Sequence, residues 1–229
     1  MNKNALYIFG TVLAIVGFLT AVYIGTTGYS DVTLPAKDQK VSENDHVLWA
    51  GNAENILIEY ADLQCPSCRA AHSYMKPIMT SSAEADITLR TKTTYVYRHY
   101  PLSRIHKNAE NAAHFAEALA KQGKFEAALD ELFTTQDSWA ALEKPQDNFK
   151  AIATKIGANA DQALKDMDTD AVKAKVLQDA ASGDAAGVSG TPTFFLNGKR
   201  LDDYQNFDDL KKMILDAVSA SASAQTSGN

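Results

Sequence analysis

Two cysteines occur in this chain of 229 residues, and they stand three apart in Cys65-Pro66-Ser67-Cys68. The pair falls where an apolar run, Ile56-Leu57-Ile58-Glu59-Tyr60, reads as a buried strand handing over to a helix. Pro66 suits the first helical position, where its missing amide hydrogen has no intrahelical partner and its φ is already helical. A C-x-x-C pair at a helix start sets two sulfurs one turn apart beside free amides and the positive end of the helix dipole, which favours a thiolate on the outer one. The motif reads as a reactive dithiol, with Cys65 at the boundary and Cys68 shielded one turn inside. Structural zinc sites also use C-x-x-C, but they need four ligands, usually from a second pair, and the chain has no second pair.

Size and charge narrow the class. The soluble part is long enough to bury a full core without disulfide staples. A formal net charge of −6 disfavours nucleic-acid binding. Ala5 to Gly28 carries no charged residue and follows Lys3; at about 1.5 Å per helical residue it can cross a hydrocarbon core of about 30 Å. One transmembrane helix, an N-terminal anchor over residues 1–28, is therefore expected. The rival is a cleaved signal peptide, whose apolar region would be about 7–15 residues and whose cleavage site Gly25-Thr26-Thr27-Gly28 matches poorly.

Residues 29–45, with Pro35 and no apolar period, read as a linker to a domain at 46–218. Strands are expected at His46–Trp49 and Ile56–Ala61, split by a turn at Gly51-Asn52, and again at Tyr95–Tyr100. From about 103 to 187 the sequence becomes alanine-rich and helical, with breaks at Gly123, Pro145 and Gly157. Thr193–Leu196 and Lys199–Leu201 then read as a hairpin around Asn197-Gly198. A last helix over Phe207–Val218 lays Leu210, Met213 and Ile214 against the sheet. The Ser/Ala-rich tail, 219–229, is expected to be disordered.

This order of elements, with three separated motifs, resembles the DsbA-like thioredoxin-fold thiol–disulfide oxidoreductases over His46–Val218. The motifs are Glu59-Tyr60-Ala61-Asp62-Leu63-Gln64-Cys65-Pro66-Ser67-Cys68, Tyr97-Arg98-His99-Tyr100-Pro101-Leu102, and Gly187-Val188-Ser189-Gly190-Thr191-Pro192-Thr193-Phe194-Phe195. The resemblance implies an α/β thioredoxin fold whose βαβ and ββα halves are separated by an all-helical insertion, about 103–187. It implies catalysis by Cys65 and Cys68 without a cofactor. Pro66 and Ser67 set the environment of the outer sulfur, and Ser67 stands where well-known members carry histidine. It also implies a cis-Pro192 that turns the backbone of Thr191 toward an extended substrate, and a buried Glu59 near the inner sulfur that moves its proton through water. Arg98 and Lys92 are the candidate partners of Glu59, and Asp62 reads as a turn or capping residue. The partners implied are unfolded or reduced proteins and a membrane quinone-linked re-oxidising protein of the DsbB or vitamin-K-epoxide-reductase type. A monomer at the cell membrane, single-pass with its catalytic domain extracytoplasmic, completes the expectation.

The direction of exchange is open at this stage. A dithiol oxidase, a reductase and an isomerase share these residues, and potential relative to partners decides among them. A different class of reading has Cys65, Cys68 and His72 holding copper or zinc, since His72 lies four residues after Cys68 on one helix. His99, His106, Trp49 and Trp139 read as packing residues. The acidic run Asp166 to Asp170 reads as a solvated helix end, with weak calcium contact as the alternative.

Overall fold

A computed structural model describes Ile15 and residues 33–49, 53–202 and 204–226, with side chains to residue 220. The chain divides into Met1–Asp31 and Val32–Asn229, and every element below belongs to the second unit. The expected anchor over 1–28, Ile15 apart, and the Gly51-Asn52 turn lie outside the described residues. Among the described residues no helix is long and apolar enough to cross a membrane.

Among the described residues five strands form one mixed sheet in the order β1-β3-β2-β4-β5. They are β1 (His46–Trp49), β2 (Asn55–Ala61), β3 (Thr93–His99), β4 (Thr193–Leu196) and β5 (Lys199–Leu201). β2 and β3 run parallel, while β1, β4 and β5 join antiparallel. All seven residues of β3 and six of the seven of β2 are buried. That explains the near-continuous apolar reading of β2, since a strand covered on both faces has no polar side to alternate with.

The parallel β2–β3 connection carries α1 (Pro66–Ile78) and α2 (Glu84–Lys92). The insertion supplies α3 (Ala109–Ala120), α4 (Phe125–Thr134), α5 (Gln136–Trp139), α6 (Gln146–Lys155), α7 (Ala160–Asp166) and α8 (Asp170–Ala185) before the hairpin, and α9 (Phe207–Thr226) closes the chain. Ala71, Met75 and Ile78 of α1 pack with Leu57, Tyr95 and Phe194 on one sheet face, together with Leu210, Ile214 and Val218 of α9. Ile58, Tyr60, Val96 and Phe195 point the other way, where Leu34, Ala186 and Val188 cover them. A third cluster joins both cysteines to Tyr97 and to the apolar faces of α3, α4, α6 and α7. The hairpin turns on Asn197 (φ 52°) and Gly198 (φ 81°), the two positive-φ positions that a tight Asn-Gly turn requires.

Three elements differ from the sequence reading. Residues 34–45 are docked on the domain: Leu34 is 2% exposed, Ala36–Asp38 forms a 3-10 turn, and Arg98 takes the carbonyls of Asp38 and Lys40 and the carboxylate of Asp45. Leu34 alone contributes about 2 kcal/mol of burial, a sink that a composition-based linker reading misses. Helix α2 was not anticipated, since its Glu84-Ala85-Asp86-Ile87 start has only a weak apolar stripe and Leu89 is its one buried apolar residue. Finally, α9 runs to Thr226 where disorder was expected, consistent with the high helix propensity of its alanines.

Candidate active site

Cys65 is the N-cap of α1, with extended backbone (φ −74°, ψ 124°), and Pro66 occupies the first helical position. The cap is set by a tight turn in which the Cys65 amide donates to the Asp62 carbonyl (3.0 Å) and the Gln64 amide to Asp62 Oδ1 (2.7 Å). Asp62, 1% exposed, also accepts from the Leu102 amide (3.0 Å) and lies 2.7 Å from His106 Nδ1. It is therefore a turn residue, as read from sequence, and in addition ties the dithiol loop to the start of the insertion.

Both cysteines are free thiols, Cys65 being 7% exposed and Cys68 fully buried. Cys65 is pulled down to about 5, chiefly by the hydrogen bond from the Cys68 thiol and, against the cost of burial, by the amides of Cys68 and Ser67 and by Thr191. The amides of Ser67 and Cys68 are the helix terminus to which the sequence points, and the Cys68 thiol acts beside them. Ser67 contributes through its backbone amide while its side chain is exposed. Burial drives Cys68 well above the ordinary thiol value, and its bond to Cys65 and the charges of Cys65 and Glu59 add to that. The Asp62 amide donates to Cys68 Sγ at 3.4 Å. Two thiols with ionisation pushed apart give an outer nucleophile and an inner group that stays protonated.

The loop before β4 faces this pair. Thr191–Pro192 is cis, and the Thr191 carbonyl accepts from Cys65 Sγ at 3.4 Å. The Thr191 hydroxyl is buried without an aligned hydrogen bond, yet it lies near enough to both sulfurs to pull each downward.

Glu59 sits on β2, 3% exposed, on the sheet face that carries the cysteines. Burial raises it to about 7, the charge on Cys65 pushes the same way, and the hydroxyl of Tyr95 opposes both by donating to Oε2. Neither partner named from sequence fills this role. Arg98 is in register with Tyr60, so it points through the opposite face and makes a two-pronged bond to Asp45 at 2.9 Å on each prong. Lys92 is exposed at the end of α2. Tyr95 was missed, although parallel pairing of the two strands puts it diagonally beside Glu59 on one face.

Three carboxamides also escaped notice. Gln136 donates to the carbonyls of Leu63 (2.8 Å) and Cys65 (3.2 Å). Gln64 donates to the carbonyl of Ala140 (2.9 Å) and accepts from the Asn108 amide (2.7 Å). Asn108 in turn holds the carbonyls of Trp139, Ala140 and Leu142. No pattern in the sequence marks these residues, because each acts through backbone far away along the chain.

The metal reading of Cys65, Cys68 and His72 fails on geometry. His72 Nε2 lies 2.7 Å from Asp130 of α4, its ring stacks on Phe133, and it joins no cluster with the cysteines. Burial depresses its ionisation, against the pull of Asp130. Asp166 and Asp168 pair with Lys121 and Lys173, as befits a solvated helix end.

A family model described as thioredoxin matches residues 41–216. The chain belongs to the thioredoxin family. Its solved thioredoxin-fold neighbours include a thioredoxin-like oxidoreductase from Silicibacter pomeroyi (TM-score 0.62, 23% identity, 78% of this chain and 94% of that one). Another is alpha-DsbA1 from Wolbachia pipientis (TM-score 0.63, 21% identity, 80% and 96%). A curated relative, a Na(+)/H(+) antiporter NhaA 3 from Salinispora tropica, is 31% identical over 193 residues, which is 84% of this chain and 27% of that protein. The chain thus spans about a quarter of the length of the curated relatives it matches. What the comparisons share with the geometry is a thioredoxin fold, here with a free dithiol at the cap of α1.

Proposed function

We propose that the chain is a dithiol oxidase that introduces disulfide bonds into secreted or cell-envelope proteins, held at the membrane by residues 1–28 with its catalytic domain outside the cytoplasm. What supports this reading is the placement of Cys65 as the N-cap of α1 with the Thr191 carbonyl 3.4 Å from its sulfur, a setting that pulls the thiol down to about 5. A stabilised thiolate favours the reduced form, and a dithiol that prefers to be reduced oxidises others.

With the Cys65–Cys68 disulfide closed, a substrate thiolate attacks Cys65 Sγ and Cys68 leaves. Cys68 takes up a proton that Glu59, raised to about 7, can release by way of water. A second substrate thiolate then attacks the substrate sulfur of the mixed disulfide, and Cys65 departs as its thiolate. Two electrons have passed to the chain and one disulfide has formed in the substrate. Re-oxidation falls to a membrane quinone-linked partner of the DsbB or vitamin-K-epoxide-reductase type. Thr191, whose carbonyl lies at Cys65, supplies main-chain groups for an extended substrate segment.

The test is the equilibrium of Cys65–Cys68 with glutathione, joined to oxidative refolding of a reduced substrate. A potential near about −120 mV and turnover abolished by Cys65→Ala support the oxidase; a value near about −270 mV makes the chain a reductase.

A further inference from the structure

His46 of β1, His99 of β3 and Glu117 of α3 bring their ligand atoms to one point, all within 4.8 Å of one another. His46 Nε2 is 2.6 Å and His99 Nε2 3.0 Å from the same oxygen, Glu117 Oε1. The sheet builds this convergence, because His46 pairs with Tyr97 across the antiparallel ladder and His99 lies two residues on from Tyr97 along the same face. Glu117 projects from α3 onto that face, and the His46 ring is fixed by stacking on Phe125.

Hydrogen bonding accounts for only part of the trio, since His46 Nε2 and Glu117 Oε1 share one bond and His99 is left out of it. His99 is 1% exposed, and neither of its ring nitrogens has an aligned hydrogen bond, the approach of Nε2 to Glu117 being off-line. A buried ring left without such a bond calls for another partner. We propose that His46, His99 and Glu117 form a site for a divalent transition-metal ion of the zinc type, separate from the dithiol. Two imidazole nitrogens and one carboxylate oxygen are a donor set for zinc; calcium and magnesium take all-oxygen sets. Zinc–ligand lengths of about 2.0–2.2 Å set tetrahedral donors about 3.3 Å apart, so the observed 2.6 and 3.0 Å open only slightly to admit the ion. Entry is through His46, whose side chain keeps 17% exposure at the edge of a groove of about 460 Å³ lined by Glu43, Asp45, Lys121 and Lys175. Water takes the fourth position from that groove, and any proton on a ligating nitrogen leaves to solvent.

The experiment uses the full chain with Cys65–Cys68 closed as a disulfide, so that neither sulfur can ligate. The metal-free protein is titrated with Zn²⁺ by calorimetry, and Co²⁺ serves as a spectroscopic probe. One equivalent of Zn²⁺ should bind, and Co²⁺ should show four- or five-coordinate visible bands without sulfur charge transfer. His46→Gln and Glu117→Gln should each lose the stoichiometric step while the far-ultraviolet circular dichroism spectrum and the glutathione equilibrium stay unchanged. Because His46 is partly exposed, its variant serves as the test even where Glu117→Gln fails to fold. Wild-type protein that takes up no more Zn²⁺ or Co²⁺ than His46→Gln would overturn the site and leave the trio a buried charge cluster.

Discussion

Tyr95 donates its hydroxyl hydrogen to the carboxylate of Glu59 across two parallel strands, two residues off the direct pair and on the same face. The acid that faces the inner cysteine therefore has a neutral partner, and its ionisation is governed by burial rather than by a fixed counter-charge.

Glu59→Gln should stabilise the protein at alkaline pH. A carboxyl raised from an ordinary 4.5 to about 7 costs stability progressively as pH climbs through that window, by about 3 kcal/mol once above it. Urea midpoints at pH 4 and pH 8 check this: the variant should gain on wild type at the higher value and little at the lower. The same variant should slow release of Cys68 from the disulfide by about 10²-fold, the usual size of a general acid's contribution.

Cys65 should be alkylated by iodoacetamide at a rate that falls off only below about pH 5, with Cys68 silent. Cys68→Ala removes the leading donor to the outer sulfur, so the profile should move toward that of a free thiol. Linkage gives a second check. The ionised sulfur is favoured in the folded reduced protein from about 5, against 9.0 for an ordinary thiol, so the reduced form gains stability as pH rises between those values. Its melting temperature relative to the disulfide form should rise over the same interval.

Arg98→Ala should cost about 3–5 kcal/mol, because it strands Asp45 without its two-pronged partner at 2% exposure. Burial alone would raise Asp45, but Arg98 pulls it below the usual range, so its contribution is complete above 3.8 and fades as pH falls below that. Guanidinium unfolding from pH 6 to pH 3 should therefore show a shallower loss in the variant than in wild type.

Gly183→Ala should destabilise by about 1–3 kcal/mol, as overpacking of a filled core does. An added Cβ would stand 2.7 Å from the Tyr100 ring and 3.1 Å from Tyr60. Thermal unfolding of the variant beside Tyr100→Leu/Gly183→Ala separates the clash from helix propensity, since the smaller side chain should recover part of the loss.

Much of this fold could be read from sequence because its signals are local. The strand before Cys65, the helix cap, the Asn-Gly hairpin and the break glycines each rest on a few adjacent residues. The docked segment at 34–45 could not be read that way, since Leu34 is buried by Ile58, Tyr60 and Phe195, which are remote in the chain. Charge partners were misassigned for the same reason. Arg98 is one residue off the Glu59 face, and the register that decides this is a property of the assembled sheet. His99, read as packing, gained another meaning only when His46 and Glu117 arrived beside it.

The carboxamides of Gln136, Gln64 and Asn108 bear on how such a protein can be shortened. They hang the loop ahead of the redox pair from helices that belong to the insertion, filling carbonyls at Leu63, Cys65 and Ala140. A miniature with those helices excised would keep the dithiol's sequence but lose its suspension, so the insertion is part of what holds the dithiol loop and not an ornament that a leaner scaffold could shed.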